Sequence, residues 1–146
     1  MFEISDFYDY CKRHNVDVIP YDGCPQPGAT VRDEGFYAVF LDFTKIKSTR
    51  LLRGVCFHEL GHVATGALHK VDSPYELVER SEYRANRWAI QRFLRADAFR
   101  EAFALGYTEV WQLAEYFDMP EPVIAQALTY WTQRKEIAFL SVDNSC

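Results

Sequence analysis

The residues best equipped for chemistry are His58-Glu59-Leu60-Gly61-His62, an H-E-x-x-H run inside a helical pattern. Side chains four apart on an α-helix share a face, so His58 and His62 stand one above the other and both imidazoles can reach one metal ion. Glu59 projects at the edge of the same face, where it can hold a water against that ion. Two neutral imidazoles and a carboxylate beside an activated water are the working parts of a zinc peptidase. Three protein ligands and one open position mark a catalytic zinc site, so a third ligand is needed. Manganese or iron also suits two histidines and one carboxylate.

The third ligand is expected on the next helix, from about Pro74, which suits a first turn, to Phe93. Val78, Ala85, Ala89 and Phe93 line one face of it, and Glu82 falls in the middle of that apolar stripe. An unpartnered carboxylate in such a place is costly and would take up a proton. A metal ion is the partner that accounts for it. Glu79, one turn earlier on a neighbouring face, is the rival ligand. Asn86, one turn further on, can brace a ligand by hydrogen bonding. Arg80, Arg84, Arg87 and Arg95 line the opposite, solvated face. For the oxyanion of a peptide-cleaving reaction the candidates are Tyr75, Tyr83 and His69.

The elements that must position these groups follow from pattern. Ser48 or Thr49 can cap the motif helix, which is expected to run to about Ala67. Cys56, Leu60, Val63, Ala64 and Ala67 form its apolar arc, and the histidines point the other way. Gly61 in mid-helix costs about 1 kcal/mol relative to Ala, which suggests a tight approach there. Ahead of this helix, Ser5 to His14 reads as a short amphipathic helix with Phe7, Tyr8 and Cys11 inward. Short strands are expected at 16–19 and 29–32, a loop at 21–28, a turn at Asp33-Glu34-Gly35 and a longer strand at 36–43. That longer strand would edge the cleft and pair with an extended peptide through its main chain. After the third-ligand helix, Asp97 to Leu105 continues helically and Gly106 breaks the pattern. Thr108 can cap Glu109 to Phe117, Pro120 begins a helix to about Arg134, and 137–142 reads as a further strand.

The 146 residues are expected to form one α+β domain, 1–146. Within it, 1–47 would hold the first helix and small sheet, 48–105 the metal-binding helices and 106–146 a helical hairpin. Nearly half the residues are apolar, enough for a core. A formal charge of −5 argues against a general nucleic-acid or membrane-surface binder. No apolar run is long enough to span a bilayer, and Met1 to Tyr10 lacks the basic start of a secretory signal. Cys11, Cys24, Cys56 and Cys146 form no C-x-x-C pair, which fits free thiols in the cytoplasm. Residues 113–128 have the rhythm of a helix-turn-helix. Their second helix offers Glu121, Gln126 and Gln133, with basic residues only at Arg134 and Lys135, so it reads as a packing or partner-docking hairpin rather than a DNA reader.

Together these residues resemble the ImmA/IrrE metallopeptidases. The likeness is carried by His58-Glu59-Leu60-Gly61-His62, by His69 after it, and by Glu82-Tyr83-Arg84-Ala85-Asn86 followed by Trp88-Ala89. The later L-A-x-x-F segment at 113–117 is also similar. Arg84 and Arg92-Phe93-Leu94-Arg95 depart from the family's pattern. The resemblance implies a zincin-like fold, zinc held by His58, His62 and Glu82, and Glu59 as catalytic base. It also implies a protein substrate, a helix-turn-helix repressor encoded nearby, in the setting of phages and other mobile elements. The contrasting expectation is a metal-containing module that docks a repressor or toxin without cutting it; Glu59 speaks against that, since docking has no use for a base beside a metal.

Overall fold

The first helix, α1 (Ile4–Arg13), closes its N-terminus with a reciprocal cap: the Asp6 carboxylate accepts the Glu3 backbone N–H at 2.7 Å, and the Glu3 side chain accepts from the first turn. Phe7 and Cys11 are buried beneath it, while Tyr8, expected to face inward, is exposed. Phe2 takes the inward place, its ring edge-on to Phe57 at 5.6 Å. Arg53 is buried as well, donating to Glu3 Oε2 at 2.9 Å and to the Phe2 carbonyl. These bonds tie α1 to the motif helix. The computed structural model describes residues 1–68 and 74–139.

Three strands follow: β1 (Asp17–Pro20), β2 (Gly28–Asp33) and β3 (Phe36–Leu41). Their order is β1-β3-β2, with β1 parallel and β2 antiparallel to β3. The longest apolar run therefore takes the centre, where both its edges are hydrogen-bonded, and Val39 and Leu41 are buried. β3 cannot be the peptide-binding edge expected from its sequence; β2 holds an edge position instead. Strand order is a tertiary outcome that alternation along one strand does not reveal. Glu34 and Gly35, both at positive φ (49° and 84°), make the two-residue turn between β2 and β3.

Asp42 closes the sheet and is fully buried. Its carboxylate accepts from the backbone N–H groups of Gly23 (3.0 Å), Cys24 (3.1 Å) and Thr44 (3.0 Å), from the Thr44 hydroxyl and from Lys45 Nζ (2.9 Å). Its own N–H reaches the Pro27 carbonyl at 2.8 Å. The Pro- and Gly-rich loop before β2 is thus anchored to the end of β3. The Thr44 hydroxyl, then Lys45, hold this carboxyl well below the usual carboxylate range. A depressed folded-state pKa adds stability that is complete above the ordinary value of about 3.9 and is lost as pH falls below it. Asp42→Asn puts an NH2 among these donors. It is expected to lower the urea midpoint at pH 7 and to remove part of the acid-dependent loss seen in the native chain.

The motif helix α2 (Thr49–Thr65) is capped by Ser48, whose Oγ accepts from Leu51 N at 3.1 Å. It ends at Thr65, two residues before the expected end, and Gly66 caps it in the left-handed region at φ 66°. It is buried on more than its apolar arc: Glu59, Gly61 and His62 are buried along with Cys56, Leu60 and Val63. Burial pushes the Cys56 thiol up to about 12, in keeping with a small packed hydrophobe. α3 (Tyr75–Phe93) follows.

The chain divides into two compact units, Phe2–Ala89 and the residues from Ile90 onward. In the second, α4 (Ala96–Ala104), α5 (Val110–Phe117) and α6 (Glu121–Gln133) bury Phe99, Ala102, Leu113, Phe117, Ile124 and Leu128. Trp131 Nε1 donates to the Leu94 carbonyl at 2.7 Å. The cap of α5 is Glu109 rather than Thr108: the Gln112 side chain accepts both of their N–H groups. Of the strand expected at 137–142, residues 137–139 are not extended into a sheet, and 140–142 lie outside the described residues. Six helices and a three-stranded mixed sheet among the described residues make the fold α+β, consistent with a zincin-like core. No helix among them is long and apolar enough to cross a membrane.

Candidate metal centre

Four residues per turn-and-a-bit of α2 place His58 and His62 with their Nε2 atoms 3.3 Å apart. Glu82 comes up to them from α3. Its Oε2 lies 3.1 Å from His58 Nε2 and its Oε1 3.3 Å from His62 Nε2. Among the described residues these three form the cluster able to hold a metal ion. The two imidazole nitrogens, 3.3 Å apart, and one carboxylate oxygen all lie within 4.8 Å of one another, close enough to share one ion. Two imidazoles and one carboxylate are also the donor types such an ion takes. Glu79, the rival, is exposed and engages the Tyr75 hydroxyl, raising its pKa.

The approach of the two helices is set by Gly61. A Cβ at this position would lie 2.4 Å from the Ala85 carbonyl oxygen and 2.8 Å from its carbon. The missing side chain lets α3 lie against α2, and Glu82 is one turn before Ala85. The tight approach expected from a mid-helix glycine is present.

Hydrogen bonds hold each member of the cluster. His62 Nδ1 lies 2.6 Å from the Ala67 carbonyl oxygen, which assigns a proton to Nδ1 and turns Nε2 towards Glu82. Asn86 hydrogen-bonds His58, as its position one turn beyond Glu82 suggested. Burial draws the His58 pKa down, but the hydrogen bond to Glu82, the Glu59 and Glu82 charges and the Asn86 contact together leave it raised. The hydrogen bonds from His58 and then His62 hold the Glu82 carboxyl well below its ordinary range. Glu82 is therefore an anion, ready to ligate.

Glu59 has a different setting. It is 4% exposed, and its Oε1 accepts the Thr30 hydroxyl at 2.9 Å. Its Oε2 lies 3.9 Å from His58 Nε2. β2 passes so close that a Cβ on Gly28 would stand 2.7 Å from Val55 Cγ1 and 3.1 Å from Glu59 Cγ. Gly28 and Thr30, two apart on one face of β2, make a cradle for the Glu59 side chain. By contrast the side chains of His58 and Glu82 are 38% and 34% exposed, so the cluster opens on their side.

Thr30 and Gly28 escape a reading of the sequence, because a small residue and a hydroxyl in a short strand carry no periodic signal. Of the oxyanion candidates, Tyr83 is exposed with the Arg87 guanidinium 5.7 Å over its ring, Tyr75 is exposed beside Glu79, and His69 lies outside the described residues. Helix α6 carries no Lys or Arg. The family model described as the IrrE N-terminal-like domain, of a peptidase family, matches residues 11–129. No curated protein and no solved structure matches the chain.

Proposed function

Since the chain belongs to the peptidase family of the IrrE N-terminal-like domain, we propose that it is a zinc-dependent endopeptidase whose substrate is a regulatory protein, a helix-turn-helix repressor encoded nearby. The observation that supports this best is the juxtaposition of a three-donor cluster, open on one side, with a buried carboxylate that is not part of it. A docking module needs no such second acid. An ion held by His58, His62 and Glu82 supplies electrophilic assistance and makes water more acidic.

The chain's own residues do the rest. The Thr30 hydroxyl occupies Oε1 of Glu59 and leaves Oε2, the oxygen nearer His58, to take a proton from the attacking water. The same carboxyl then delivers that proton to the departing amine. The edge of β2 away from β3 pairs with the main chain of an extended substrate and draws it past Glu59. The cytoplasm is the compartment this role requires, and the free thiols of Cys11, Cys24 and Cys56 agree with it.

The test is to incubate the purified chain with the repressor encoded beside it and to identify products by mass spectrometry. Discrete fragments are expected, lost on treatment with a chelator and restored by zinc in preference to manganese or iron. Stable binding of the repressor without any cut would assign the docking role instead.

A further inference from the structure

Ser81 lies in the middle of α3, immediately before Glu82, and is 5% exposed. A serine in a helix interior ordinarily turns its hydroxyl back on the carbonyl four residues earlier. Here the hydroxyl leaves its own helix and donates to the Ala67 carbonyl oxygen at 2.6 Å. That oxygen is the one that His62 Nδ1 approaches at 2.6 Å. One carbonyl with two lone pairs thus accepts a hydrogen bond from each helix.

The carbonyl is itself held from behind. The Ala67 N–H donates to Thr65 Oγ1 at 3.1 Å, and the Thr65 hydroxyl donates to the Gly61 carbonyl at 2.7 Å. The left-handed turn at Gly66 brings Ala67 back beneath His62. We propose that Ser81 is a positioning residue of the metal centre: through the Ala67 carbonyl it fixes the ring of His62 and fastens the helix that bears Glu82 to the helix that bears the histidines. The inference rests on the reading of His58, His62 and Glu82 as metal ligands.

Two consequences follow from the geometry. With Nδ1 committed to Ala67, Nε2 of His62 faces the donor cluster, 3.3 Å from Glu82 Oε1. And because Ser81 and Glu82 are adjacent, a shift of the serine hydroxyl is a shift of the carboxylate's backbone. Partners that orient metal-binding histidines cost about 10- to 100-fold in metal affinity when removed.

The experiment is zinc binding by competition with a chelating dye, using the full chain as native, Ser81→Ala and Glu82→Gln. Alanine is the better helix former and is smaller by one oxygen, so the variant is expected to fold, checked by thermal unfolding of the metal-free chain. Ser81→Ala is expected to bind zinc about tenfold more weakly. In the metal-free chain, the His62 Nδ1 proton seen by NMR is expected to exchange faster with solvent than in the native chain. A serine that only filled space would move neither readout. If Ser81→Ala binds zinc like the native chain while Glu82→Gln does not, this inference falls and the metal reading stands. If Glu82→Gln binds as tightly as the native chain, the metal reading itself falls.

Discussion

Glu59→Gln is expected to lower turnover about a thousandfold while leaving zinc bound, since general acid–base groups contribute about 10²- to 10⁴-fold. The amide has the shape of the carboxyl, and its oxygen can still accept from Thr30 Oγ1, now 2.9 Å from Oε1. What it cannot do is take a proton. Because Glu59 is outside the donor cluster, the cluster's three atoms keep their places. Metal content measured by atomic absorption and fragment formation measured in single-turnover cleavage separate the two effects. A variant that cuts as fast as the native chain would remove Glu59 from the chemistry.

The second large effect is expected at Gly61. A Cβ there meets three backbone atoms of Ala85, the oxygen at 2.4 Å, the carbon at 2.8 Å and Cα at 3.2 Å. Backbone cannot rotate out of the way, so the helices must part. Overpacking of this kind costs about 1–3 kcal/mol, which exceeds the roughly 1 kcal/mol that alanine gains over glycine in a helix. Parting α2 from α3 also draws Glu82 away from His58 and His62, now at 3.1 and 3.3 Å. Gly61→Ala is therefore expected to show both a lower urea midpoint and weaker zinc binding, by about tenfold or more. Urea titration and dye competition measure the two together. A more stable variant with native zinc affinity would contradict the close approach.

The donor cluster was legible because each part of it is a helical periodicity. The four-residue step from His58 to His62 and the intrusion of Glu82 into the stripe of Val78, Ala85 and Ala89 can be read from a list of letters. So can Gly61, whose cost in a helix demands a reason. What could not be read depends on which segments meet. The apolar run at 36–43 reads as a cleft-edging strand, yet its residues 36–41 take the middle of the sheet. Tyr8 and the α5 cap at Glu109 went astray for a smaller reason, since one residue of rotation or offset decides each. Asp42, Thr30 and Ser81 each act on a segment distant in sequence, and a lone polar residue announces no partner.

The hairpin that carries Thr30 adds a rule of counting. Successive strand residues face opposite sides, so Thr30 reaches Glu59 only while Gly28 stays opposite Leu41 and Thr30 opposite Val39. Pro27 is moored to Asp42 at one end, and the Glu34–Gly35 turn sets the other. Loss or gain of a single residue between these moorings would present Ala29 or Val31 to the carboxylate, whereas a change of two would restore the parity. The tip of this hairpin and the Glu59 carboxylate are therefore joined by an odd-or-even rule across the length of the strand.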